Sequence, residues 1–168
     1  MKQSSEFRKA LTGGEGEQPN FEYDGIRTKF ICENVFAFYI EKYYNFDAMN
    51  PIDQKENNVL EGIKKILNDC RDSCANIVKD TISEMIILNE DTDFDSILFN
   101  IGEELFSCKS WHSIIAFFIF VGELAIMGIS QKLLPSKIET LNWYFYAFVK
   151  DKLESWIKAN GDWEGILN

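Results

Sequence analysis

Histidine is nearly absent from this chain and the thiols are scattered. His112 stands alone, and Cys32, Cys70, Cys74 and Cys108 include no Cys-x-x-Cys pair. A structural zinc site is closed by four nitrogen or sulfur ligands. Cys70 and Cys74 sit four apart on a predicted helix but have no further thiol at ligand spacing, so neither a metal nor a cofactor is expected. Positive charge is also short. Against 27 Asp and Glu there are 17 Lys and Arg, and a net charge of −10 argues against a general nucleic-acid or anionic-lipid binder. The first residues, Met1 to Ser5, lack the apolar core of a secretion signal, which together with the unpaired thiols points to a reducing, intracellular setting. Gly13, Gly14 and Gly16 are not followed by the lysine and hydroxyl of a phosphate loop. No nucleophile has a base partner and no catalytic residue is assigned, so an enzyme is the poorest reading. Period-two alternation, internal repeats and splitting linkers are missing as well, which leaves an all-α fold in one domain.

What the chain does have is one stretch that is apolar all round. From Ser110 to Met127 it reads as a helix, and Ile114 to Val121 offers no polar side chain to water. Gly122 and Glu123 interrupt the run before the ~20 clean apolar residues of a membrane span are reached. A buried central helix is therefore expected, with Ser110 as its cap. Such a helix must be wrapped by others that are apolar on one side only.

Those others are present. Residues 1–25 carry little that can pack and are expected to be a flexible segment, with the helical domain occupying 26–168. Arg27 to Tyr44 has a stripe of Phe30, Ile31, Val35, Phe38 and Tyr39. After Pro51, Asn58 and Glu61 have capping-box spacing, and a long stripe runs Val59, Leu60, Ile63, Leu67, Cys70, Cys74, Ile77, Val78, Ile82 and Met85. Asp91, Asp93 and Asp95 resemble the opening of a calcium loop. The glycine and the closing glutamate are absent, so Asp93 is expected instead to cap a helix carrying Phe94, Ile97, Leu98, Ile101 and Leu105. Pro135 and Ser136 open another helix, with Glu139 expected to complete a capping box, and it bears Ile138, Leu141, Phe145 and Phe148. The last helix, Leu153 to Asn160, stops at Gly161, and Asp162 caps a short turn with Trp163.

The arrangement of these motifs resembles the Bcl-2 family of apoptosis regulators. The stretch Tyr146 to Trp163, with Trp156, Ile157, Asn160, Gly161 and Trp163 in register, resembles the family's second homology motif. Glu103, Glu104, Leu105 and Phe106, followed by Trp111 and Ile114 to Phe118, resemble the first, and Ile63, Leu67, Asp72 and Cys74 the third. The resemblance implies a Bcl-2-like bundle around a central hydrophobic helix, located in the cytoplasm or at the mitochondrial outer membrane. It implies a groove that receives the amphipathic BH3 helix of pro-apoptotic proteins. The groove residues it implies are Cys74, Ile77, Val78, Ile82, Met85, Glu104, Leu105, Ser110, His112, Ser113, Ile115, Ala116 and Phe120. Trp111, Trp156, Asn160, Gly161 and Trp163 are expected to be structural. Membrane association is expected only through a C-terminal tail that this chain does not contain.

Two departures from the family pattern bear on function. Where the family reads Asn-Trp-Gly-Arg, this chain has Ser110-Trp111-His112-Ser113, so the arginine that normally meets the ligand's aspartate is replaced by a neutral serine. Arg71 stands where the third motif has a small residue, and a long cation there obstructs insertion of this segment into another molecule's groove. The pattern leans toward a pro-survival, groove-bearing protein. A membrane-permeabilising effector and a helical scaffold for a non-BH3 partner are the competing readings.

Overall fold

Helix α4, Trp111–Ser130, is the axis of the computed structural model, which describes residues 21–86 and 88–168. Every residue from Phe117 to Ile126 is buried, so this helix is covered on all sides over nearly three turns. Ser110 caps it as expected, its hydroxyl accepting the Ser113 N–H at 3.1 Å. The helix is longer than its apolar run suggested. At 20 residues and a mean hydropathy of 2.1 it is long and apolar enough to cross a membrane, although 78% of that window is buried by the rest of the bundle.

Helix α1, Phe21–Ile40, starts before the expected domain boundary at residue 26 and ends four residues short of Tyr44. Residues 1–20 of the expected flexible segment lie outside the described residues. Phe30, Ile31, Val35 and Tyr39 are buried as their spacing requires, and so are Cys32, Phe36 and Ile40. The wider burial arises because the following loop folds back over the helix. Phe46 meets Phe36 edge-on at 5.2 Å, Asn34 Nδ2 donates to the Met49 carbonyl at 2.9 Å, and Glu33 accepts the Met49 N–H at 3.0 Å.

Helix α2, Gln54–Met85, is a single helix of 32 residues. Its cap is Asp53, which accepts the Glu56 N–H at 2.8 Å, and not the Asn58–Glu61 box. The start moves upstream because Glu56 is drawn inward to Arg27 at 2.7 Å, which fixes the first turn before Asn58 is reached. Val59, Leu60, Ile63 and Leu67 dock this helix on the core. From residue 68 to 81 no side chain is fully buried, and in the stripe Cys70, Cys74 and Val78 are half-buried and Ile77 exposed.

Helix α3, Phe94–Leu105, is capped by Asp93, which accepts from the Ser96 N–H at 3.2 Å and the Ser96 hydroxyl at 2.7 Å. Helix α5, Pro135–Phe148, buries Ile138, Leu141 and Phe145. Its expected capping box does not form. Proline at the first turn removes one of the donors that a cap would satisfy, and Glu139 instead accepts from the Tyr44 hydroxyl at 3.3 Å. A π-helical turn, Val149–Leu153, leads into α6, Glu154–Ala159. Gly161 then takes φ +95°, a left-handed conformation that favours glycine, and Asp162 caps the 3₁₀ turn Trp163–Leu167. Helices α1, α2, α3 and α5 all pack against α4, and no strand occurs among the described residues. The fold is an all-helical bundle around a central helix.

Candidate functional site

The middle stretch of α2, between the buried Leu67 and Ile82, is only partly covered and leaves an open groove of about 840 Å³ beside the start of α4. Ile66, Cys70, Cys74, Ile77 and Val78 form one wall, and Ile115, Ala116 and Ile119 of α4 form the floor. The opposite wall is the C-terminal turn, through Gly165, Ile166 and Asn168, with Trp156 of α6 and Asn160 just past its end. Lys109, Ser110, Trp111 and His112 complete the lining at the α4 N-terminus. Ile77 is 69% exposed, too much for a side chain whose role is to fill the core.

The lining contains no acidic side chain, although the protein as a whole carries −10. Its cationic candidates are Lys109 and His112. Ser113 does not line the groove. Its hydroxyl is half-buried against that of Ser110 at 3.0 Å, so the position the resemblance gives to an arginine is occupied by the cap of α4.

Of the groove residues expected from sequence, Cys74, Ile77, Val78, Ser110, His112, Ile115 and Ala116 come together here. Ile82 is fully buried, Phe120 is buried at 7% exposure, Leu105 packs half-buried against the core and Glu104 is exposed away from the lining. These four do not line this groove, which opens between α2 and the C-terminal turn. The Met85 side chain lies outside the described residues. Trp111 and Trp156, expected to be structural, pack edge-to-face at 5.1 Å and line the groove as well, as does Asn160. Trp163 is a core residue, 1% exposed and stacked on Phe118 at 6.3 Å.

Two charged groups behind the groove escaped sequence reading. Arg27 is 5% exposed, with Nε 2.7 Å from Glu56, Nη1 2.9 Å from Asp162 and Nη2 2.7 Å from Glu164. Burial alone would lower its pKa, but the hydrogen bonds it donates to Glu164 and Glu56 reverse this and hold it well above the usual value. Glu123, which breaks the apolar run of α4, is 2% exposed and accepts from the Tyr39 hydroxyl at 2.6 Å. Burial and that hydrogen bond push the Tyr39 phenol up. Arg71 lies over the same ring, its guanidinium 4.2 Å from the centroid, and donates to the Tyr39 carbonyl at 3.2 Å. The sequence signal for both was a charged residue on an apolar stripe.

Comparison with known proteins agrees with this geometry. Residues 58–163 match the family described as apoptosis regulator proteins, Bcl-2 family. Among curated relatives, apoptosis regulator BAX from Bos taurus is 28% identical over 51% of this chain and 45% of that protein. Human BAX is 24% identical over 72% and 62%. The matched stretches thus span about half to three-fifths of those relatives. Among solved structures, Trichoplax adhaerens trBcl-2L2 bound to trBak BH3 superposes with a TM-score of 0.75 at 23% identity, covering 86% of this chain and 97% of that one. Chicken BOK gives a TM-score of 0.69 at 16% identity, covering 89% and 97%. The family match extends over well over half of the sequence, and the chain belongs to the Bcl-2 family of apoptosis regulators.

Proposed function

We propose that this protein sequesters BH3 helices of pro-apoptotic partners in the groove between α2 and the C-terminal turn, and acts by capture instead of catalysis in the cytosol or at the mitochondrial outer membrane. The observation that carries this reading is the apolar stripe of α2 left uncovered beside the α4 floor. An amphipathic helix inserts apolar side chains from successive turns, and the stripe Cys70, Cys74, Ile77, Val78 facing Ile115, Ala116 and Ile119 offers matching apolar surface. The solved neighbour trBcl-2L2 was captured with a BH3 segment, which supports a partner of this kind.

A pro-survival role is the direction we favour. A member that acts through its own BH3-like segment must release that segment, and here Arg71 ties α2 to α1 through the ring and carbonyl of Tyr39. The second reading, an effector that permeabilises the mitochondrial outer membrane, is favoured by the similarity to BAX and by the membrane-compatible length of α4.

Titration with a panel of BH3 peptides tests capture. A Kd tighter than about 10 μM, worth roughly 7 kcal/mol, is expected for at least one peptide, and uniformly weaker binding overturns the proposal. Dye-loaded liposomes separate the two roles, since a sequestering protein releases no dye when an activating peptide is added and an effector does. Changing the bound peptide's aspartate to alanine should cost well under the ~2 kcal/mol of a charged hydrogen bond, because Ser113 carries no charge and is turned into the helix cap. A tenfold or greater loss would identify Lys109 or His112 as a replacement cation, to be checked with Lys109→Ala and His112→Ala.

A further inference from the structure

We infer that Arg27, which does not line the groove, is the positioning residue that sets where the groove's C-terminal wall stands; its effect on ligand capture rests on the function proposed above. That wall is a five-residue turn with little regular structure of its own, Trp163–Leu167. Trp163 plugs into the core against Phe118 and fixes how deep the turn sits. Ile166 is buried beside it and Leu167 packs on Gly62 of α2, apolar contacts that hold the turn down without specific direction. Asp162 and Glu164 flank the plug on either side, and both carboxylates fall on one guanidinium, with Nη1 2.9 Å from Asp162 and Nη2 2.7 Å from Glu164.

The third contact grounds the clasp. Arg27 Nε is held by the buried Glu56 at 2.7 Å, so the guanidinium plane is fixed between α1 and the first turn of α2 before it meets the C-terminal turn. A planar fork with fixed donor directions transmits that orientation, which a lysine point charge would not. The next residues, Gly165, Ile166 and Asn168, are wall residues of the groove. Gly165 lies so close to the Trp111 ring and the Asn160 carbonyl that no side chain fits there, and a small rotation of the turn therefore shifts the wall against the tryptophan pair. Lys55, 3.2 Å from Glu164, adds an outer contact. The width of the groove is thus set by an ionic clasp behind it.

The groove's own thiols report its width without any ligand. In full-length protein carrying Cys108→Ser, Cys70 and Cys74 line the groove, while Cys32 is fully buried, with its thiol pushed up by burial, and stays unreactive. Labelling with a bulky maleimide is followed by mass spectrometry in wild type, Glu164→Gln, Arg27→Met and Asp93→Ala. The last removes the α3 cap and destabilises the fold at a site outside the groove. Glu164→Gln should raise the labelling rate of the groove thiols roughly threefold, the scale of one partly exposed ion pair. Arg27→Met should raise it further and Asp93→Ala should leave it unchanged, with BH3-peptide dissociation accelerating in the same order. Rates unchanged in Glu164→Gln, or rates that follow thermal stability across all variants including Asp93→Ala, overturn the positioning role. If Arg27→Met does not fold, Glu164→Gln decides alone. Rates that rise as expected in a protein that binds no BH3 peptide uphold the clasp and remove the proposed function.

Discussion

Tyr39 is where three otherwise separate demands meet: its hydroxyl donates to Oε1 of the buried Glu123, its ring carries Arg71, and the same ring lies on Gly122 of the central helix. A side chain at Gly122 would collide with the ring, because glycine lets α1 approach α4 closely at that level. Gly122→Ala should therefore destabilise the protein by about 1–3 kcal/mol, the usual cost of overpacking, measured as a shift in urea midpoint at unchanged slope. A neutral outcome would mean that the ring can move aside, and that Tyr39 does not hold α1 in place. Sequence reading placed Gly122 and Glu123 only as interruptions of an apolar run. That they face a tyrosine 84 positions from the glutamate is a long-range fact with no local signature.

At the scale of elements, caps that depend on neighbours three residues apart were legible and those that depend on tertiary partners were not. Ser110 and Asp93 cap α4 and α3 as their spacing indicates. The caps of α2 and α5 departed, because Glu56 is pulled to Arg27 and because Glu139 accepts from Tyr44, while Glu90 accepts the Leu134 N–H at 2.9 Å ahead of Pro135. The C-terminal turn shows the same dependence in its acid response. Burial would raise the Glu164 carboxyl, but the hydrogen bond from Arg27, its own backbone N–H and Lys55 outweigh this and hold it at about 2 instead of 4.5. A depressed carboxylate pKa contributes stability that is complete above about pH 4.5 and is lost as the pH falls toward 2. Denaturation midpoints of wild type and Glu164→Gln should accordingly differ at pH 7 and converge across that window. A gap that persists at pH 2 would show that the pairing with Arg27 is not what stabilises the turn.

For the whole molecule, one long helix serves two purposes along its length. The N-terminal half of α2 is structural, with Ile63 and Leu67 fully buried, and its C-terminal half presents the open stripe with Ile77 69% exposed. Ile63→Ala should cost about 2–5 kcal/mol in stability, as buried large-to-small changes do, with little effect on peptide affinity once folded. Ile77→Asp should leave the unfolding midpoint nearly unchanged and abolish BH3-peptide binding by placing a charge against an apolar ligand face. Equal loss of stability in both would mean that the groove is part of the core and not a site.

Periodicity and composition determined, without coordinates, that the chain is all-helical, that Ser110 opens a central helix needing cover on every side, and that Gly161 and Asp162 turn the chain back at its end. These are outcomes of local geometry, in which residues three or four apart decide a face or a cap. Only the tertiary structure decided which apolar stripe would be left uncovered, that Trp156 and Asn160 would wall it, and that Arg27 would gather carboxylates 29 and 137 positions away. An apolar face looks the same in sequence whether a neighbour covers it or a ligand will. What distinguishes the two is the position of distant segments, set by packing around α4.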